Sequence, residues 1–130
     1  MSDKQRSLFA KLTSRKKSGN DAEDKALQFL KKQGLRLRER NFSTKSGEVD
    51  LIMQDPSTEA LVFIEVRYRK NTDFGGAAAS VTPKKQQKII KAALAYQQKE
   101  APQASMRFDV VAIEGNDMQI NWIPSAFDGF

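Results

Sequence analysis

Cysteine and histidine are both missing from this chain of 130 residues. Without cysteine there is no disulfide framework, no thiol nucleophile and no thiolate zinc site, a pattern that fits a reducing compartment. Without histidine, Ser-His-Asp hydrolysis, histidine-ligated zinc and any nuclease scheme with a histidine base are excluded. Chemistry is left to carboxylates, lysines, arginines, tyrosines and hydroxyls. Long apolar runs are lacking as well. No stretch approaches the roughly 20 apolar residues needed to cross a bilayer, and the N-terminal MSDKQRSLFAKLTSRKKSGN has no apolar middle like that of a secretory signal. A cytoplasmic protein without membrane contact is therefore expected.

What the chain does have is charge of one sign in excess. Lysine and arginine number 22 against 16 aspartates and glutamates, a formal charge of +6 that favours polyanionic partners. The excess is concentrated at the start, where Lys4, Arg6, Lys11, Arg15, Lys16 and Lys17 face a single acid, Asp3. Residues 1–19 read as a basic, flexible arm, and 20–130 as a single domain with a modest core.

Order is expected from Asn20. The sequence N-D-A-E has the form of a capping box, with Asn20 as N-cap and Glu23 reaching back three residues. A helix to about Gln33 follows, with Ala22, Ala26, Leu27, Phe29 and Leu30 as its apolar stripe and Gly34 as its stop. Leu35–Arg40, Glu48–Gln54 and Leu61–Tyr68 read as strands, the last two forming a hairpin. Asn71–Ser80, rich in glycine and alanine, reads as a flexible connection ending at Thr82-Pro83, an N-cap followed by proline at the first helical position. A second helix to about Lys99 and strands at Arg107–Ile113 and Met118–Ile123 complete the chain. The order indicates an α/β fold with a central mixed sheet of about five strands flanked by helices.

Two strands carry charge where burial is expected. Strict alternation puts Glu48, Asp50 and Ile52 on one face of their strand and Val49, Leu51 and Met53 on the other. On the next strand Phe63, Glu65 and Arg67 lie together. Charges in such surroundings must meet a partner, water or a cation. A structural ion-pair network, a Mg²⁺ site and a phosphate pocket without catalysis all satisfy that demand.

The motifs GEVDLI, LVFIEVRYR, GGAAASVTPKKQQKI and RFDVVAI, in this order, closely resemble the YraN-like family of bacterial proteins over roughly Asn20 to Phe127. That family is similar to the restriction-endonuclease-like superfamily, whose sites combine an aspartate with a (D/E)-x-K on the following strand, and to Holliday junction resolvases within it. The resemblance implies Asp50 and Glu65 as ligands of Mg²⁺ or Mn²⁺, and Glu23 as the first-helix glutamate of the resolvase-like members. It puts Arg67 where lysine is usual. Glu23 keeps its local reading as a capping acid, and Glu48 is a further ligand or simply exposed.

Arginine stays charged, so Arg67 is no general base, but it can grip a phosphate with two hydrogen bonds. Arg69, Lys70, Lys84, Lys85 and Lys88 would supply a track for a phosphodiester backbone, or a solvated face. Tyr68, Tyr96, Phe108, Val110, Trp122 and Phe127 are read as packing residues, and Asp109 as a cap or ion-pair partner. The expectation is a metal-dependent nuclease acting on structured or branched DNA. A nucleic-acid-binding module of the same fold without catalysis, and an interaction domain for an acidic protein, are the alternatives. Paired cleavage of a two-fold symmetric substrate would need a homodimer.

Overall fold

The alternating segments pair into one sheet. The computed structural model describes residues 20–70 and 76–129. In chain order these form helix α1 (20–32), strands β1 (Arg36–Thr44), β2 (Gly47–Gln54) and β3 (Leu61–Arg69), a 3-10 turn (Ala78–Ser80), helix α2 (Pro83–Glu100) and strands β4 (Met106–Glu114) and β5 (Gln119–Phe127). The sheet has the order β1-β2-β3-β4-β5, antiparallel throughout except for the parallel pair β3 and β4. A parallel neighbour needs a crossover, and α2 provides it. The arm read from residues 1–19, and the first half of the Asn71–Ser80 connection, lie outside the described residues.

Each helix covers one face of the sheet. Ala22, Ala26, Leu27 and Leu30 of α1 pack on Leu51, Met53, Val62, Ile64, Val111 and Ile113. Ile89, Ile90, Ala92, Ala93 and Tyr96 of α2 pack on Val49, Ile52, Leu61, Phe63, Phe108 and Val110. The uninterrupted apolar run LVFI is thus explained, because β3 is central and buried on both sides. Helix α1 stops as its sequence dictates. Gly34 adopts φ +98°, Gly34 N–H donates to Lys31 and Leu35 N–H to Leu30, the paired bonds of a Schellman motif with Leu35 buried beside Leu30. At the other end the helix already includes residue 20, and Glu23 bonds across to β1 rather than back to Asn20. Helix α2 follows expectation: Thr82 caps it, accepting from Lys85 N–H at 3.3 Å, with Pro83 first in the helix.

Asp109 is fully buried and fully paired. Its two oxygens accept from Arg107 (3.0 and 2.9 Å), from Trp122 Nε1 (3.0 Å) and from the Ser125 amide (3.0 Å), tying edge strand β5 to β4. Phe108 and Phe127 stack beside it, and Tyr96 is core, as their types suggested.

Candidate active site

The alternation expected along β2 fails at Asp50. Val49 belongs to the α2 side together with Ile52, while Leu51 and Met53 belong to the α1 side, so the strand is irregular between 49 and 51. The irregularity is shared with β1. Arg40 pairs with Leu51 and Phe42 with Val49, and between them Asn41 has φ 53°, a conformation asparagine tolerates better than most residues. On the other side of β2, pairing with β3 ends at Leu51 and Ile64, although β3 continues against β4 as far as Arg69. Strands β2 and β3 part here like a fork. The Asp50 carboxylate enters the gap and its Oδ2 accepts the Val66 amide at 2.8 Å, replacing a ladder bond that β2 no longer provides.

Glu65 meets Asp50 in the fork. It is 4% exposed, and each of the two carboxyl groups influences the other's titration. Burial, then the charge of Glu65, pushes Asp50 up to about 7, with Glu23 and Glu48 adding smaller repulsions and the Val66 amide opposing them. Burial also raises Glu65, against the pull of Lys85 and Arg67. Lys85 Nζ lies 3.3 Å and Arg67 Nη1 3.5 Å from the same Glu65 Oε1. Sequence reasoning placed Lys85 on a phosphodiester track with no contact to the acids; the first turn of α2 brings it to Glu65.

Arg67 is held from behind. Its Nε donates to Ser80 Oγ at 2.8 Å, and Ser80 Oγ donates onward to the Ala77 carbonyl. The loop bearing Ser80 is fixed in turn by Glu114, whose Oε1 accepts the Ala77 amide at 2.8 Å. Gly76, at φ 77°, lets the backbone pass that carboxylate, since a Cβ there would lie 2.5 Å from Glu114 Oε1. Neither Ser80 nor Glu114 carried a sequence signal beyond its neighbourhood, because their partners are 13 and 37 residues away.

Glu23 lies on the α1 side. Its Oε1 accepts from Arg40 Nε and Nη2 (3.1 and 3.0 Å) and from Asn41 Nδ2 (3.2 Å). It thus braces the left-handed residue of β1 that faces the fork. Glu48 is exposed. Lys84, Lys85 and Lys88 line one cleft with the β1–β2 turn, whereas Arg69 and Lys70 are exposed at the end of β3 and take no part in it.

Among the described residues no group of three or more acidic side chains is arranged around a single cation position. The buried Glu65 and the partly buried Asp50, which repel each other, remain a fitting pair for Mg²⁺, which takes one or two protein carboxylates and completes its shell with water and substrate oxygens.

The profile described as uncharacterised protein family UPF0102 matches residues 22–113. A UPF0102 protein of Pseudomonas fluorescens (strain Pf0-1) is 51% identical over 113 residues, spanning 85% of this chain and 92% of the relative. One from Herminiimonas arsenicoxydans is 50% identical over 116 residues, 89% of this chain and 90% of the relative. One from Vibrio vulnificus (strain YJ016) is 48% identical over 118 residues, 88% and 95%.

Proposed function

This chain belongs to the UPF0102 family of bacterial proteins, and we propose that it is a metal-dependent nuclease of restriction-endonuclease-like type, cleaving phosphodiesters in structured or branched DNA. The observation that carries this reading is the fork itself: the sheet gives up pairing between β2 and β3, and Asp50 and Glu65 meet in the opening with Lys85 and Arg67 beside them. A fold does not withdraw two neighbouring acids from water cheaply, even where one of them, Asp50, is only partly buried. Perturbed acids in a cleft beside cations are the arrangement that phosphate chemistry needs.

In this reading Asp50 and Glu65 would hold the cation, each offering a carboxylate oxygen to it. A bound Mg²⁺ supplies Lewis-acid polarisation of the phosphate and a more acidic water. Arg67, oriented by Ser80, turns its guanidinium toward the phosphate oxygens, and Lys85 neutralises negative charge that grows in the transition state. Lys85 thus takes over what lysine does on β3 in the resembling superfamily. Glu23 acts through Arg40 and Asn41, holding β1 in the shape that leaves the fork open.

Cleavage of labelled four-way-junction and linear duplex DNA with Mg²⁺ or Mn²⁺ is the test. Wild type is expected to cut the junction, Asp50→Asn to lose all but background, and Lys85→Gln to lose about 10²-fold, the scale of one electrostatic donor. Failure of the wild type to cut any substrate with either metal would overturn the reading. One observation favours binding without turnover: Glu65 is already neutralised by two cations, so the site is satisfied without metal.

A further inference from the structure

Beside the acid pair lies a concave surface of which the chemistry above uses only Lys85. The β1–β2 turn and the first turns of α2 enclose a cleft of about 600 Å³. Four lysines line it, Lys45 from the turn and Lys84, Lys85 and Lys88 from α2, against one carboxylate, Glu48. Between them stand hydroxyls, including those of Ser43, Thr44 and Ser46. Lys85 belongs to both the cleft lining and the ion pair with Glu65, and so links the two.

The two walls are set at a fixed separation. Gly47 passes so close to α2 that a Cβ would lie 2.3 Å from the Lys88 carbonyl oxygen. Thr44 Oγ1 accepts the Ser46 and Gly47 amides at 3.1 and 3.2 Å, which closes the turn upon itself.

Among the described residues the lining contains no aromatic ring, no arginine, no asparagine and no glutamine. Single strands are held by stacking bases on aromatic side chains, and sequence is read chiefly by arginine, asparagine and glutamine at base edges. Neither device is here. The other aromatic rings among the described residues are spent elsewhere: Phe29 on Trp122, Phe42 and Phe63 on Tyr96, Phe108 on Phe127, with Tyr68 against the α1-side core. Lysines and hydroxyls alone match phosphate and sugar oxygens.

We infer that this cleft holds the phosphodiester backbone of a base-paired duplex arm, without reading its sequence, and leads that strand toward the acid pair. The inference rests on the reading of the fork as a phosphodiester site. It commits the substrate to double-stranded character next to the point of attack and adds Lys45 to the residues that bind it.

The experiment is fluorescence anisotropy with the full chain in EDTA, so that binding is read without cleavage. The probes are two 20-base-pair duplexes of unrelated sequence and a 20-nucleotide poly-dT strand, each over a salt series. The two duplexes are expected to bind alike and at least tenfold more tightly than the single strand. The triple variant Lys45→Gln, Lys84→Gln, Lys88→Gln is expected to flatten the slope of log K against log salt by about 3, near one unit per phosphate contact. Poly-dT binding as tight as duplex, a strong preference between the duplexes, or an unchanged slope in the triple variant would each overturn the inference. Duplex binding with the expected slope and no cleavage under Mg²⁺ sinks the nuclease reading and leaves the cleft standing; cleavage with a preference for single strands does the reverse.

Discussion

At the residue scale, Asp50 is the position where stability and chemistry oppose each other. Its carboxyl binds a proton more tightly folded, at about 7, than it does near its ordinary 3.8. Between those values the folded state holds more protons than the unfolded, so this group's contribution is fully present below about pH 4 and is lost as pH rises through 7. Asparagine keeps an acceptor for the Val66 amide and carries no charge. In EDTA, Asp50→Asn is therefore expected to be more stable than wild type at pH 8 by about 2 kcal/mol, allowing about 1.4 kcal/mol per pKa unit and some relaxation. The difference should close toward pH 4. Urea melts at the two pH values check this, and a variant less stable than wild type at pH 8 would contradict it. Arg67 illustrates a different point. Its identity suggested a weakened catalytic lysine, but its Nε bond to Ser80 gives it a fixed orientation that a lysine at 67 would forfeit.

At the scale of elements, the β1–β2 hairpin is positioned by its contact with α2. Gly47→Ala puts a methyl group against the Lys88 carbonyl, a backbone atom that cannot swing aside. A loss of about 1–3 kcal/mol is expected, the usual range for overpacking, with a weaker duplex affinity as the cleft walls separate. Thermal melting and anisotropy on the same variant check it; wild-type values for both would mean that the hairpin is not braced there. The elements themselves were legible in the sequence because local signals agreed: Thr82-Pro83 with its lysines, Gly34 after an apolar stripe, and LVFI between two polar turns. The failure of alternation at Asp50 was not legible. It depends on Asn41 in the neighbouring strand and on an amide of β3, contacts that a two-residue period cannot register. Glu23 shows the same limit. Its spacing from Asn20 imitated a capping box, while its bonds run to Arg40 and Asn41. Lys85 was named as a basic candidate, but its pairing with Glu65 depends on where β3 lies against α2, which its own sequence neighbourhood does not carry.

At the scale of the molecule, the sheet separates two tasks. One face, under α1, is core plus the Glu23 brace; the other, under α2, carries the lysines to the fork. Within the domain the positive charge is arranged locally, since four lysines converge on one cleft while Arg107 and Arg40 are consumed in ion pairs. That division puts the lysine-lined cleft next to the acid pair, with Lys85 common to both. A crystal of the protein grown with Mn²⁺, with anomalous data collected at the manganese edge, tests the central claim most directly. The account predicts a peak between the Asp50 and Glu65 carboxylates with Lys85 drawn off Glu65. An empty fork at saturating Mn²⁺, with both cations still on Glu65, would contradict it.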